Sequence, residues 1–200
     1  MSTTQPGDLI DSLAGIAPGS ALDAIRAGRP AARTHAEASH RALLLPEAPG
    51  PVSHAERFAI AAYVAGLHRA PEAKAHYAAG LAGHGGATLA DAVARATGET
   101  LAQGPRGHYP SGPLTAEDTA PPSFGLSPDV TEALGARLAA AFAYAHFLVF
   151  HPRDAAPDRF PPLEAAGWST DGIVTLSQVV AFLAFQIRVA AGLRVLAATP

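Results

Sequence analysis

Glu56, His68, Glu72, His76 and Tyr77 fall around one short break between two predicted helices, in the run AERFAIAAYVAGLHRAPEAKAHYAAGL from Ala55 to Leu81. A carboxylate, two imidazoles and a phenol at such spacing suit a buried site that moves protons, because histidine titrates nearest neutral pH. Each also has an ordinary reading. Glu56 stands three residues after Ser53, so it completes a capping box at a helix start. His68 lies at a helix end, where an imidazole satisfies terminal carbonyls. His76 follows Glu72 by four, the spacing of a surface pair. Arg188 sits in a long apolar helix, and a buried guanidinium needs a partner. It therefore pairs with a carboxylate such as Asp171, Glu164 or Asp154, or meets a ligand anion.

The elements that must position these residues are helical. Alanine is abundant and β-branched alternation scarce, so an all-α fold is expected. The 200 residues are 48% hydrophobic and 16% charged, which is enough for one domain with a sizeable core. Met1 to Gly7 reads as a loose terminus. Asp8 to Leu13, Ala21 to Ala27 and Pro30 to Leu45 read as helices of an N-terminal extension covering residues 1–50, stopped by the run PEAPGP. Residues 52–102 form a motif hairpin: a helix capped by Ser53 to about Leu67, a second from Pro71 to the glycines of GHGG, then an amphipathic segment from Leu89 to Leu101. Between Gln103 and Ser127, nine of 25 residues are Gly or Pro, so this stretch is an irregular crossing. Residues 128–198 supply the C-terminal helices, one ended by His151-Pro152 and the last capped by Ser169 or Thr170.

Several function classes are excluded or disfavoured by composition. With no cysteine, the chain supplies no disulfide, thiolate metal site or thiol nucleophile. A formal charge of −3 and a pI near 6.3 give no bulk attraction to nucleic acid or anionic membrane. The first 25 residues have no Lys or Arg, unlike a signal peptide. Gln178, Gln186, Arg188 and Arg194 interrupt the apolar run from Ile173 to Leu196, so a buried helix of a soluble, cytoplasmic protein is expected rather than a membrane span. That helix is apolar on most sides, and a subunit interface would supply part of its cover. The nine histidines never form H-x-x-x-H or H-E-x-x-H, so no metal site is expected, and no cofactor either.

The order of these signals resembles a known family. S-x-x-E-R at Ser53–Arg57, a helix, a break and a short His-bearing helix come first. A long crossing follows, then an aromatic-rich helix, L-x-x-A-G-W-S from Leu163, and F-Q-I-R-x-x-x-G-L from Phe185. The pattern, from about Ala32 to Leu196, resembles the carboxymuconolactone decarboxylase/alkylhydroperoxidase AhpD-like superfamily, in its peroxidase-related branch. The resemblance implies a single all-helical AhpD-like domain, an intertwined homo-oligomer assembled as a trimer or hexamer, and no nucleic-acid or membrane partner. Active AhpD-type members use a glutamate, a C-x-x-C pair and a histidine. Aligned on Glu56-Arg57, the relay glutamate falls on Phe58, the two thiol positions on Ala70 and Ala73, and the histidine position on Tyr77, with His76 taking it if one residue is gapped. Thiol peroxidase chemistry is then unavailable to this chain.

Two readings follow from the resemblance. One is an acid–base, decarboxylase-like enzyme acting on a small carboxylated metabolite. His76, His68 and Glu56 are its candidate catalytic residues, and Arg188, Gln186, Tyr77 and Trp168 its substrate-binding residues. The other is a non-catalytic binding or partner subunit of a cysteine-containing relative. Peroxide reduction through a bound haem is a third, with no sequence feature in its favour.

Overall fold

The computed structural model describes residues 8–198, and Met1–Gly7, the expected loose terminus, lies outside them. The described residues are all-helical, with no strand and a single isolated bridge between Gly107 and Thr119. Eight α-helices follow in order: α1 (Leu9–Ala14), α2 (Ala21–Ala27), α3 (Pro30–Leu44), α4 (His54–Leu67), α5 (Pro71–Thr100), α6 (Pro128–Phe150), α7 (Pro161–Ala165) and α8 (Thr170–Ala198).

Helix α4 is the axis. From Arg57 to Leu67 every residue is buried, as an apolar helix with alanine and glycine on several faces requires. It packs on α5, α6 and α8. Close approach to α5 depends on Gly66, where a Cβ would fall 2.4 Å from Thr97 Cγ2. Tyr63 of α4 stacks on Phe142 of α6, ring centroids 4.1 Å apart. Its hydroxyl lies 2.7 Å from Thr100 Oγ1, which itself donates to Ala96 O, so Tyr63 is the donor of the pair.

The punctuation read from the sequence recurs in the structure. Ser53 and Glu56 form the capping box, Pro30 begins α3, and α6 ends at Phe150, before His151-Pro152. Ser169 accepts from Gly172 N at the start of α8. The break expected at GHGG is present within α5: at Gly86 the backbone leaves helical geometry (φ 79°, ψ 171°), a conformation open to a residue without Cβ, and a second helical stretch continues from there to Thr100.

Both α6 and α8 are long and apolar enough to cross a membrane by length and composition. Each also gives core residues to the bundle, among them Phe142 and Ala145 from α6 and Leu176, Val180 and Leu183 from α8. Helix α8 nonetheless leaves Val174 and Phe185 50% and 49% exposed.

Candidate functional site

The residues singled out in the sequence occupy three places. Glu56 and Trp168 share the first, at the start of α4. Glu56 accepts from Ser53 N at 2.7 Å, from Ser53 Oγ at 2.9 Å and from Arg137 Nε at 2.6 Å. The Arg137 guanidinium lies 4.1 Å over the Trp168 ring and donates to Pro51 O and Gly167 O, while Trp168 Nε1 donates to Arg137 O. Burial alone would push the Glu56 carboxyl up, but the hydrogen bonds from Arg137 and Ser53 outweigh it and hold it below the usual range. A carboxylate so occupied ties α4 to α6 and to the α7–α8 link. It lies twelve residues from His68, about 18 Å along the helix.

His68 and Arg188 share the second place. The α4–α5 turn is a Schellman closure: Arg69 N donates to Gly66 O at 2.9 Å and Ala70 N to Ala65 O at 3.1 Å. The left-handed position of this motif is usually glycine, yet here it is Arg69, at φ 54°. An L side chain there costs about 1 kcal/mol. Beside the turn is a cavity of about 340 Å³, lined by His68, Arg69 and Arg188, by Val149 and Phe150 at the end of α6, and by the 102–105 stretch of the crossing. Arg106 N holds that stretch in place through Phe150 O at 2.6 Å.

His68 lines this cavity, and its Nε2 is buried with no hydrogen-bond partner among the described residues. Burial, and secondly the charge of Arg188, depress the His68 imidazole to about 4, so it is neutral at physiological pH. Arg188 donates to Ala184 O of its own helix at 3.0 Å. None of the carboxylates expected for it is its partner. Asp154, for one, accepts from His108 N at 3.0 Å and faces His151 Nδ1 at 3.6 Å. Arg188 is exposed rather than buried as its place in an apolar run suggested, so solvent can satisfy its guanidinium, and it has no ion-pair partner among the described residues.

The third place is the far side of α8. Gln186 and Arg188 are two residues apart, so about 200° of helix separates them. Gln186 is buried and accepts from the Tyr77 hydroxyl. Ala70, Ala73 and Tyr77 are all buried, at the i, i+3, i+7 spacing of one helix face. His76 is exposed and presents its ring edge-on to Tyr77 at 5.0 Å. It does not pair with Glu72, which faces Arg194 at 3.2 Å.

Besides Arg137, two residues of these places, His40 and Arg69, were not singled out from the sequence. His40 of α3, 6% exposed, stands 6.1 Å from His76 and 6.3 Å from Tyr77, ring to ring. Its Nδ1 has no partner, and burial lowers it to about 4. Nothing in the local pattern of α3 announces that contact. Arg69 carried a weak signal: the helix ends at Leu67, four residues before Pro71, with no glycine between, so a left-handed closure there falls on another residue type. Among the described residues no group of three or more His, Asp or Glu side chains is arranged to hold a metal.

No family model matches this chain, and no curated protein matches it. What the geometry offers is a neutral imidazole with an unpartnered buried nitrogen, beside a partly apolar cavity that Arg69 and Arg188 also line.

Proposed function

We propose that this chain is a cysteine-less member of the carboxymuconolactone decarboxylase/AhpD-like superfamily. In this reading its cavity beside the α4–α5 turn binds a small carboxylated metabolite and carries out acid–base chemistry on it, decarboxylase-like. The observation that carries the proposal is the meeting of His68 and Arg188 on one partly open cavity, the first with an unpartnered buried nitrogen and the second with no carboxylate partner among the described residues. Arg188 holds the carboxylate through its fork of donors. His68 accepts or returns a proton at carbon. The two roles are coupled. A carboxylate on Arg188 cancels the charge that helps depress His68, so binding makes the imidazole more basic. Tyr77, Gln186 and His76 then support the α5–α8 contact, and Glu56 and Trp168 the start of α4, rather than touching substrate.

The test is native mass spectrometry of the purified protein to identify a retained ligand, followed by binding and turnover assays on it. Arg188→Met is expected to weaken binding about tenfold. His68→Gln is expected to leave binding within about threefold and slow turnover at least about tenfold. Unchanged binding and turnover in both variants would overturn the acid–base reading.

A second reading rests on the exposure of Val174 and Phe185 on α8, a helix apolar on most sides. We propose that this face is covered in a cytoplasmic homo-oligomer, a trimer or hexamer, or in a complex in which the chain is the non-catalytic partner of a cysteine-bearing relative. Light scattering should return a multiple of the 20.3 kDa protomer mass, and Phe185→Asp should reduce it. A monomer that also fails to co-purify with a C-x-x-C homologue would exclude both assemblies.

A further inference from the structure

Arg69 is the one residue other than glycine, among those described, with a positive φ. Its position in the Schellman turn is one where glycine fits without strain, and the side chain returns little to the fold. It is exposed, enters no ion pair among the described residues, and makes one long hydrogen bond, 3.4 Å to Ala102 O. Arg69 lines the same cavity as His68 and Arg188. Arg188 likewise has no carboxylate among the described residues, and Glu72, the acid in the first turn of α5, faces Arg194. Two uncompensated guanidiniums at one mouth carry two positive charges toward whatever enters. The walls behind them are Leu67, Val149 and Phe150, which are apolar.

Resting on the reading that this cavity binds an anion, we infer that Arg69 is a specificity-determining residue: with Arg188 it forms a two-guanidinium mouth that selects a dianionic head group on a small apolar body over a monoanion of the same shape. A single guanidinium satisfies one carboxylate with two parallel hydrogen bonds and then has little further use for a second charge. A second guanidinium, fixed by the backbone of a closed turn rather than by a flexible loop, gains only from a ligand with a further negative oxygen to offer. A phosphomonoester and a vicinal dicarboxylate share that chemistry.

The probes are benzoate, phthalate and phenyl phosphate, which carry the same ring with one or two charges at pH 7.5. Calorimetry at low salt on the full chain is expected to give at least one dianion about tenfold tighter than benzoate. A preference confined to phenyl phosphate assigns a phosphomonoester, and one confined to phthalate a dicarboxylate. Arg69→Gly should reduce the preference to about twofold, leave benzoate nearly unchanged, and raise the melting temperature by about 2–4 °C through relief of the left-handed strain. Arg69→Asn, which tolerates the same backbone, should lose the preference in the same way. An undiminished preference in both variants, with benzoate still bound, would overturn the role of Arg69 and leave the anion site standing. A lower melting temperature for Arg69→Gly would overturn the strain premise. Failure of the wild type to bind any of the three would overturn the anion site and this inference with it.

Discussion

Acidification from pH 7 to about pH 4.5 should remove a large part of the folding stability of this protein, before most of its carboxylates take up protons. His40, His68 and His146 are each held to about 4 in the folded chain, against 6.5 when free, with burial as the leading cause in every case. His146 is the clearest example. It is 1% exposed, its Nε2 donates to Thr100 O at 3.2 Å, and its Nδ1 is left without a partner between the rings of Phe124 and Phe150. The sign follows from which state binds protons. Below about pH 6.5 the unfolded chain protonates these imidazoles while the folded chain does not, so stability falls as pH falls, and the loss levels off only below the folded value near 4. At pH 5 the contribution is about 1–2 kcal/mol per imidazole after allowance for solvent relaxation, or roughly 3–6 kcal/mol for the three. Whole domains have only about 5–15 kcal/mol. His76 and His151 shift in the same direction and add to it. The carboxyls of Glu56, Asp129 and Asp154 are lowered, so their stabilisation is lost in a separate, lower window. Urea titrations at pH 7, 6 and 5, followed by Trp168 fluorescence, measure the slope. His40→Gln/His146→Gln should flatten it by about half. A stability independent of pH over that range would show that these imidazoles are not excluded from solvent.

How much of this was legible beforehand differs between fold and site. The helices were readable because each boundary has a local cause: the Ser53–Glu56 box, Pro30 and Pro71 at first turns, and the His151-Pro152 stop. The site was readable only in part. Helical spacing says which residues share a face, and two residues of separation already divides Gln186 from Arg188. It does not say which element comes to lie against that face. His40 reaches Tyr77 from α3, and the cavity beside His68 is walled in part by residues 102–105, which are in neither helix nor strand. Arg137 is the plainest case. It joins Glu56, Pro51 and Gly167, which lie 81, 86 and 30 residues away in the chain, and no local pattern encodes such a set. As a result Glu56 has the capping role that its spacing from Ser53 announces, and an ion pair that nothing in its neighbourhood announces.

The arginine next to Glu56 leads to the second large effect. Arg57→Met should destabilise the protein by about 3 kcal/mol or more and lower its melting temperature by roughly 6–12 °C. Arg57 is 5% exposed and has no carboxylate on its guanidinium. It donates instead to two carbonyls of the segment that enters α4 and one of the last turn of α3: Nε to Val52 O at 2.9 Å, Nη2 to Pro49 O at 2.8 Å and Nη1 to Leu43 O at 2.6 Å. The segment is rich in proline, whose nitrogens donate nothing, and it needs a donor from elsewhere. His54 supplies one at Pro46 O, 2.9 Å away, Arg137 another at Pro51 O, and Arg57 those at Pro49 O and Val52 O. Methionine keeps the stem packed against the core but leaves these acceptors without the guanidinium, at about 1–3 kcal/mol for each one that stays buried. Lysine is the informative companion. Its single ammonium meets one or two of the three in a different geometry, so Arg57→Lys should recover less than half of the loss. Both variants are measured by chemical denaturation at pH 7.5, where His40, His68 and His146 are neutral in either state and their acid effect does not intrude. A loss below about 1 kcal/mol for Arg57→Met would mean that water replaces the guanidinium at these carbonyls. In that case α4 is held in place by its apolar faces and its cap alone.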